Sequence, residues 1–247
     1  MEAGRLNSSG LTSSYENASI EDSRALESLF PSGAQSVVLA GQTVILLPQK
    51  AMFIPSSCTL VLADVHIGKA ASFRSRNFFA PDGISSFDLK RLEHLIKELS
   101  VSRLIILGDL VHAQDGMTRA EVEVFEHFRA AHENLTIVLV LGNHDRQVQL
   151  PQSWRLDLVQ GQMVESPFLY SHEPIRSKDG YALCGHVHPS VTLSGQGKQR
   201  ERLPCFWLRS SSAILPAYGA FTGSYTIRPS RNDRVFVIAH DTVVPVT

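Results

Sequence analysis

Five short clusters in this sequence carry side chains that could hold metal ions. They are Asp64-Val65-His66, Gly108-Asp109-Leu110-Val111-His112, Gly142-Asn143-His144-Asp145, Ser171-His172 and Gly185-His186-Val187-His188. In Asp64-x-His66 and His186-x-His188, alternate residues of an extended chain point to the same side, so both members can reach one cluster. Carboxylate, imidazole and amide oxygen together suit Mn²⁺ first, with Fe²⁺, Zn²⁺ or Mg²⁺ as alternatives. One ion needs only three or four protein ligands. This set supplies more, which argues for two divalent ions sharing a bridging carboxylate. The plainer reading is that Gly-Asp and Gly-Asn pairs are turn signals and a lone histidine is a satisfied polar group. Turns alone do not explain five such clusters at strand ends. His94, His127, His132 and His240 sit in helical or C-terminal contexts and are assigned no role.

The elements that must position these residues are legible around them. Residues 59–63, 103–107 and 136–141 read as continuous apolar strands that stop at Asp64, Gly108 and Gly142. Between the first two, Leu89, Leu92, Leu95, Ile96 and Leu99 recur at helical spacing over residues 87–99. Between the second and third, Thr118 and Glu121 form a capping box that opens a helix through Val122, Phe125 and Phe128. This β-α-β-α-β series predicts an α/β core with right-handed crossovers. Ligands then bind beyond the carboxyl ends of the strands, where the clusters lie. Residues 43–48 and 52–55 read as a preceding strand pair. Glycines 108, 142 and 185 remove bulk where the backbone must turn beside the ions. Short apolar runs at 168–171, 181–184, 206–209, 213–215, 235–239 and 242–246 follow without long helices. They predict a second sheet, mostly antiparallel or mixed.

Composition narrows the classes. A formal net charge of -1 gives no bulk basic field to draw the chain onto nucleic acid, without excluding such a substrate. An apolar fraction of 43% is enough for a sizeable core. Cys58, Cys184 and Cys205 are widely spaced in apolar settings, with no C-x-x-C pair, which reads as buried thiols in a reducing cytosol. No apolar run is long enough to span a bilayer, and no apolar segment follows Met1 as a secretory signal would, so a cytoplasmic location is expected. Residues 1–33, rich in Ser, Asn and Glu, read as a flexible tail with a short helical turn at 25–30. Residues 34–247 read as a single domain.

The ordered motifs D-V-H, G-D-L-V-H, G-N-H-D, S-H and G-H-V-H resemble the signature of the calcineurin-like metallophosphoesterases over roughly residues 35–247. Five further stretches, L-A-D-V-H-I-G-K-A-A-S-F-R, L-Y-S-H-E-P, G-H-V-H-P, R-L-P-C-F and L-P-A-Y-G-A-F-T-G, resemble the bacterial ligase-associated DNA-damage-response endonuclease branch. The resemblance implies a four-layer fold, two β-sheets sandwiched between helices, with the dimetal site at one edge. It also implies that Asp64, His66 and His188 hold one ion, that Asn143, His172 and His186 hold the other, and that Asp109 bridges them. His144 would stabilise the transition state and protonate the leaving alkoxide. Asp145 would orient that imidazole or hold its loop, and His112 would hydrogen-bond near Asp109.

The expected activity is hydrolysis of phosphodiester bonds, in DNA, by metal-activated hydroxide. Lys69, Arg74, Arg76 and Arg146 are candidates for holding the substrate backbone, with Arg176, Lys178, Lys198, Arg200 and Arg202 on further loops. Implied partners are an ATP-dependent DNA ligase, a helicase and an exonuclease. Two competing readings use the same residues. One is a phosphoesterase for a small nucleotide or a phosphoprotein; the other is a metal-bearing scaffold that binds repair partners.

Overall fold

A computed structural model describes residues 30–195 and 200–246. The expected tail up to residue 29, with most of its helical turn, and Lys198 lie outside the described residues. Phe30 packs against the core, its ring 6.4 Å from that of Phe53.

The first sheet has seven strands in chain order. Strands β1 (Gln35–Leu39), β2 (Gln42–Leu47), β3 (Ala51–Ile54) and β4 (Thr59–Leu62) meander antiparallel. From β4 onward, β5 (Arg103–Ile106), β6 (Thr136–Val140) and β7 (Asp157–Val159) run parallel. Leu62 pairs with Ile106 and Ile106 with Leu139, so the carboxyl ends of β4, β5 and β6 stand level. That register brings the first three clusters together.

Three helices accompany this sheet: α1 (Lys69–Ser75), α2 (Ile84–Glu98) and α3 (Arg119–Ala131). The Thr118 hydroxyl accepts from the Glu121 amide at 3.3 Å, as the capping box requires. Helix α2 starts three residues before the apolar spacing suggests. Gly83 takes a left-handed conformation (φ 75°) at its N-cap and lets the chain turn in early. Alternation sorts the β4 side chains: Leu60 and Leu62 join the core under α2 and α3, while Val61 and Ala63 face the other sheet.

The second sheet has nine strands and is mixed. Its strands are β8 (Gln162–Glu165), β9 (Phe168–Ser171), β10 (Tyr181–Cys184), β11 (Pro189–Ser194), β12 (Arg200–Leu208), β13 (Ser212–Ile214), β14 (Tyr225–Thr226), β15 (Arg234–Ala239) and β16 (Thr242–Pro245). Strands β9, β10 and β13 are parallel neighbours, and β12 pairs antiparallel with β11, β13 and β15. Phe168, Tyr170, Leu183, Phe206 and Phe236 fill the seam against Val61, Ile105 and Val138 of the first sheet. On the outer face, Leu169, Ala182, Cys184 and Ile214 are covered by loop residues Ile175 and Val187. After α3 the described residues contain only short 3-10 turns, Asp145–Gln147 and Gln152–Trp154, and no α-helix.

Helix α1 and strands β1, β7, β8, β11 and β14 were not anticipated. Strand β8 is largely exposed and α1 offers only Phe73 as a large apolar side chain, so neither shows the apolar period that identifies an element. No described helix is long and apolar enough to cross a membrane.

Candidate metal centre

Beyond the ends of β4 and β5 the two chains stay zipped. The amides of Asp64 and His66 donate to the carbonyls of Gly108 and Asp109, at 3.1 and 2.9 Å. The turns this forces are tight: Asp64, His66, Asp109, His186 and His188 all have positive φ, between 51° and 69°. Left-handed backbone at five non-glycine residues in one place is strained, and such strain concentrates at functional sites. Two glycines make room for the packing. A β-carbon on Gly108 would overlap the His172 ring, and one on Gly142 would overlap the Asp109 carboxylate.

Three of the clusters come from the first sheet and two from β9 and β10 of the second. Donor atoms of Asp64, His66 and His188 converge within 4.8 Å of one another, as do those of Asp109, His172 and His186. Asn143 joins the second group, its Oδ1 lying 3.0 Å from His172 Nε2. Within the groups, His172 Nε2 is 3.5 Å from Asp109 Oδ2 and His188 Nε2 is 3.2 Å from Asp64 Oδ1; between them, His172 Nδ1 is 3.9 Å from Asp64 Oδ1. The seven expected ligands thus lie near one another, Asp109 falling with His172 and His186, while His66 also groups with His112 and His144.

These residues suit a pair of cations. Asp64, His66, Asp109 and His172 are buried. Asp64 Oδ1 and both ring nitrogens of His66 have no hydrogen-bond partner, which is costly unless something else fills the role. Burial, followed by the charge of Lys69, pushes the His66 imidazole down to about 2, so it stays neutral with a lone pair to give. Burial also raises the Asp109 carboxyl above the ordinary carboxylate range, against the opposing pull of His172. His172 Nδ1 donates to the Leu107 carbonyl at 2.9 Å, which aims Nε2 at the other donors.

Around this set the expected roles divide. His144 donates from Nδ1 to the main-chain carbonyl of His112. Its Nε2 lies 3.9 Å from Asp109 Oδ2, and its side chain is 34% exposed, so it faces both the carboxylates and the solvent. Asp145 does not reach that ring. Its two oxygens accept from the amides of Asp109 (2.7 Å), Gly142 (2.9 Å) and Val111 (3.1 Å), so it ties the β5 and β6 loops. His112 differs from expectation: its ring makes no hydrogen bond near Asp109, and its Nδ1 is buried without a partner. It stacks instead on His144, with centroids 4.9 Å apart at 26°.

Among the basic candidates, Lys69 feels the charges of Asp64 and Asp109. Burial lowers its pKa while Asp64 and Asp109 oppose that shift. Arg74 is engaged by the Pro81 and Ala80 carbonyls and by Asp82, and Arg76 by Asp115 at 2.8 Å. Arg146 donates to the Leu141 carbonyl and lines a cleft of about 260 Å³ with His172, Glu173 and Gln162.

Sequence reasoning missed a clamp behind Asp64. Asp88, buried on α2, accepts from Arg91 at 3.0 Å and from the Ala220 amide at 2.9 Å. The Arg91 guanidinium lies 4.1 Å from the centroid of the Tyr218 ring and donates to the Tyr218 carbonyl. The amides of Tyr218 and Gly219 then donate to the carbonyls of Ala63 and Asp64, at 2.8 and 3.1 Å. A carboxylate at position 88, on the stripe of Leu92, Leu95 and Leu99, was the available signal.

The calcineurin-like phosphoesterase family model matches residues 59–243. The chain belongs to this family, metal-dependent hydrolases of phosphoesters that use a dimetal site. It is similar to the crystal structure of Pseudomonas putida nuclease MPE, at 36% identity over 86% of this chain and all of that one, with a TM-score of 0.76. The Escherichia coli phosphoesterase Yfce is 12% identical over 76% of this chain and 97% of its own, with a TM-score of 0.37. No curated protein matches the sequence.

Proposed function

We propose that the chain is a manganese-dependent phosphodiesterase that cuts nucleic acid, with DNA under repair as its substrate. One observation carries the nucleic-acid reading: 36% identity, over nearly the whole chain, to a structure described as a nuclease. The site supports it. Asp64, His66 and His188 would hold one cation, Asn143, His172 and His186 a second, and Asp109 would lie between. Two bound cations supply an ionised water and polarise the phosphoryl oxygens.

The chain's own residues do the rest. His144 is fixed by its Nδ1–H bond to the His112 carbonyl, so Nε2 is the atom that carries a proton to the leaving alkoxide. Stacking on His112 holds the ring in that orientation. Lys69 adds positive charge where the phosphodiester enters, and Arg146 lines the adjoining cleft. Asp145 keeps the loops bearing Asp109 and Asn143 in register.

Free cysteines fit a reducing, cytoplasmic setting. The branch resemblance supports association with an ATP-dependent DNA ligase, a helicase and an exonuclease. The test is hydrolysis of bis-p-nitrophenyl phosphate beside p-nitrophenyl phosphate with Mn²⁺, followed by nicking of plasmid and single-stranded DNA. Diester cleavage that disappears in Asp109→Ala supports the proposal. Cleavage of the monoester alone would favour a small phosphoester or phosphoprotein substrate, and no cleavage of either would favour a scaffold.

A further inference from the structure

Asn77 leaves α1 in a left-handed turn (φ 62°), and the next two residues, Phe78 and Phe79, are 62% and 96% exposed. Adjacent phenyl rings left in water mark a binding surface. This loop is not slack. The Phe78 amide donates to the Phe73 carbonyl at 3.0 Å, and Arg74 grips the far side through the Pro81 carbonyl at 2.7 Å and Asp82 at 3.1 Å. The two rings are presented by a braced hairpin.

An unbroken series of rings joins Phe78 to the metal centre. Phe78 packs on Phe73 (6.0 Å), Phe73 on His112 (6.2 Å), His112 on His144 (4.9 Å) and His144 on His66 (5.2 Å). Phe221 closes on Phe73 from the other side at 5.6 Å. Two residues before Phe78, the Arg76 side chain is 58% exposed and paired with Asp115 at 2.8 Å. Exposed ring faces are what a single nucleic-acid strand can use, because its unpaired bases stack on them. A double helix offers no free base faces.

We propose that Phe78 and Phe79 form a nucleobase-stacking subsite, occupied by an unpaired base of the strand whose phosphate lies at the metal centre. This rests on the nucleic-acid reading above. It assigns to two residues outside the metal cluster the selection of base-bearing, unpaired strand.

The test uses the Mn²⁺-loaded protein, the Phe78→Ala/Phe79→Ala variant and an aromatic control, Phe78→Tyr/Phe79→Tyr. Each is given a single-stranded oligonucleotide and the same strand with abasic sites. The wild type should cleave the base-bearing strand about ten-fold more efficiently, mainly through KM. The alanine variant should lose that preference and the tyrosine variant keep it. A second readout is 2-aminopurine fluorescence of an oligonucleotide bound to His144→Ala, quenched with the phenylalanines present and restored when both are alanine. If the wild type hydrolyses bis-p-nitrophenyl phosphate but neither binds nor cuts oligonucleotide, the nucleic-acid reading falls and the subsite with it. If the wild type cuts the oligonucleotide and the alanine variant keeps the same preference and quenching, the subsite alone is overturned, which would leave the rings to a protein partner.

Discussion

The Asp145 carboxylate accepts the main-chain N–H of Asp109 at 2.7 Å, although 36 residues separate them in sequence. With Gly142 and Val111 as further donors, one side chain sets the relative position of the two loops that carry Asp109 and Asn143. Asp145→Ala removes a buried acceptor from three amides, each costly to leave unmade. The expected outcome is a loss of about 3 kcal/mol in urea unfolding and weaker Mn²⁺ binding by calorimetry. Stability and Mn²⁺ affinity equal to wild type would show that the loops hold themselves.

Replacing His144 separates proton delivery from metal binding. His144→Ala should keep its full metal content, because the ring reaches no closer than 3.9 Å to Asp109. For a diester with an alkoxide leaving group, kcat should fall about 10²–10⁴-fold. For bis-p-nitrophenyl phosphate the loss should be much smaller, since nitrophenolate departs without a proton. An equal loss on both substrates would exclude the general-acid role.

Asp88→Ala tests the clamp behind Asp64. It leaves the Arg91 guanidinium and the Ala220 amide without their acceptor in a largely buried setting. A destabilisation of about 3–5 kcal/mol is expected. Its signature beyond stability is faster loss of Mn²⁺ to a chelator, because Gly219 no longer steadies the Asp64 carbonyl. Chelator-driven release at the wild-type rate would make the clamp purely structural.

Alkaline sensitivity follows from two buried acids. Burial pushes the Cys205 thiol up to about 12 and the Tyr218 hydroxyl up to about 12. In the folded chain both keep their protons while the unfolded chain ionises, near 9.0 for cysteine and 10.0 for tyrosine. Stability is therefore intact below pH 9 and declines as pH rises from there through 12. Each group contributes at most about 1.4 kcal/mol per pH unit. Urea midpoints at pH 8.5 and 10.5 should converge partly in Cys205→Ala, and an unchanged difference would remove the thiol as a cause.

The candidate ligands could be picked out in the sequence because they follow apolar strands, and strand ends are where α/β folds gather ligands. The β4-α2-β5-α3-β6 order could be read because its strands are buried on both faces and its helices carry a clean apolar stripe. What escaped reading depends on tertiary partners. Nothing local marks Asp145 as an acceptor for Asp109, or Tyr218 as a plug behind Asp64. His112 was placed correctly but misread, since its ring stacks on His144 where a hydrogen bond was expected. Strand β11 and the first half of β12 escaped for a similar reason: their outer ends are polar and exist as strands only by pairing, Leu193 with Glu201 and Thr192 with Arg202.

The donors come from both sheets: Asp64, His66, Asp109 and Asn143 from the first, and His172, His186 and His188 from the second. Ions held among them would act as a clasp across the seam, closing loops of many tens of residues in the way a disulfide does. Only the folded chain can offer that clasp, so its grip tightens with the logarithm of free metal concentration. Metal starvation would then act twice on this protein, first silencing the chemistry and then loosening the junction between the two halves of its own chain.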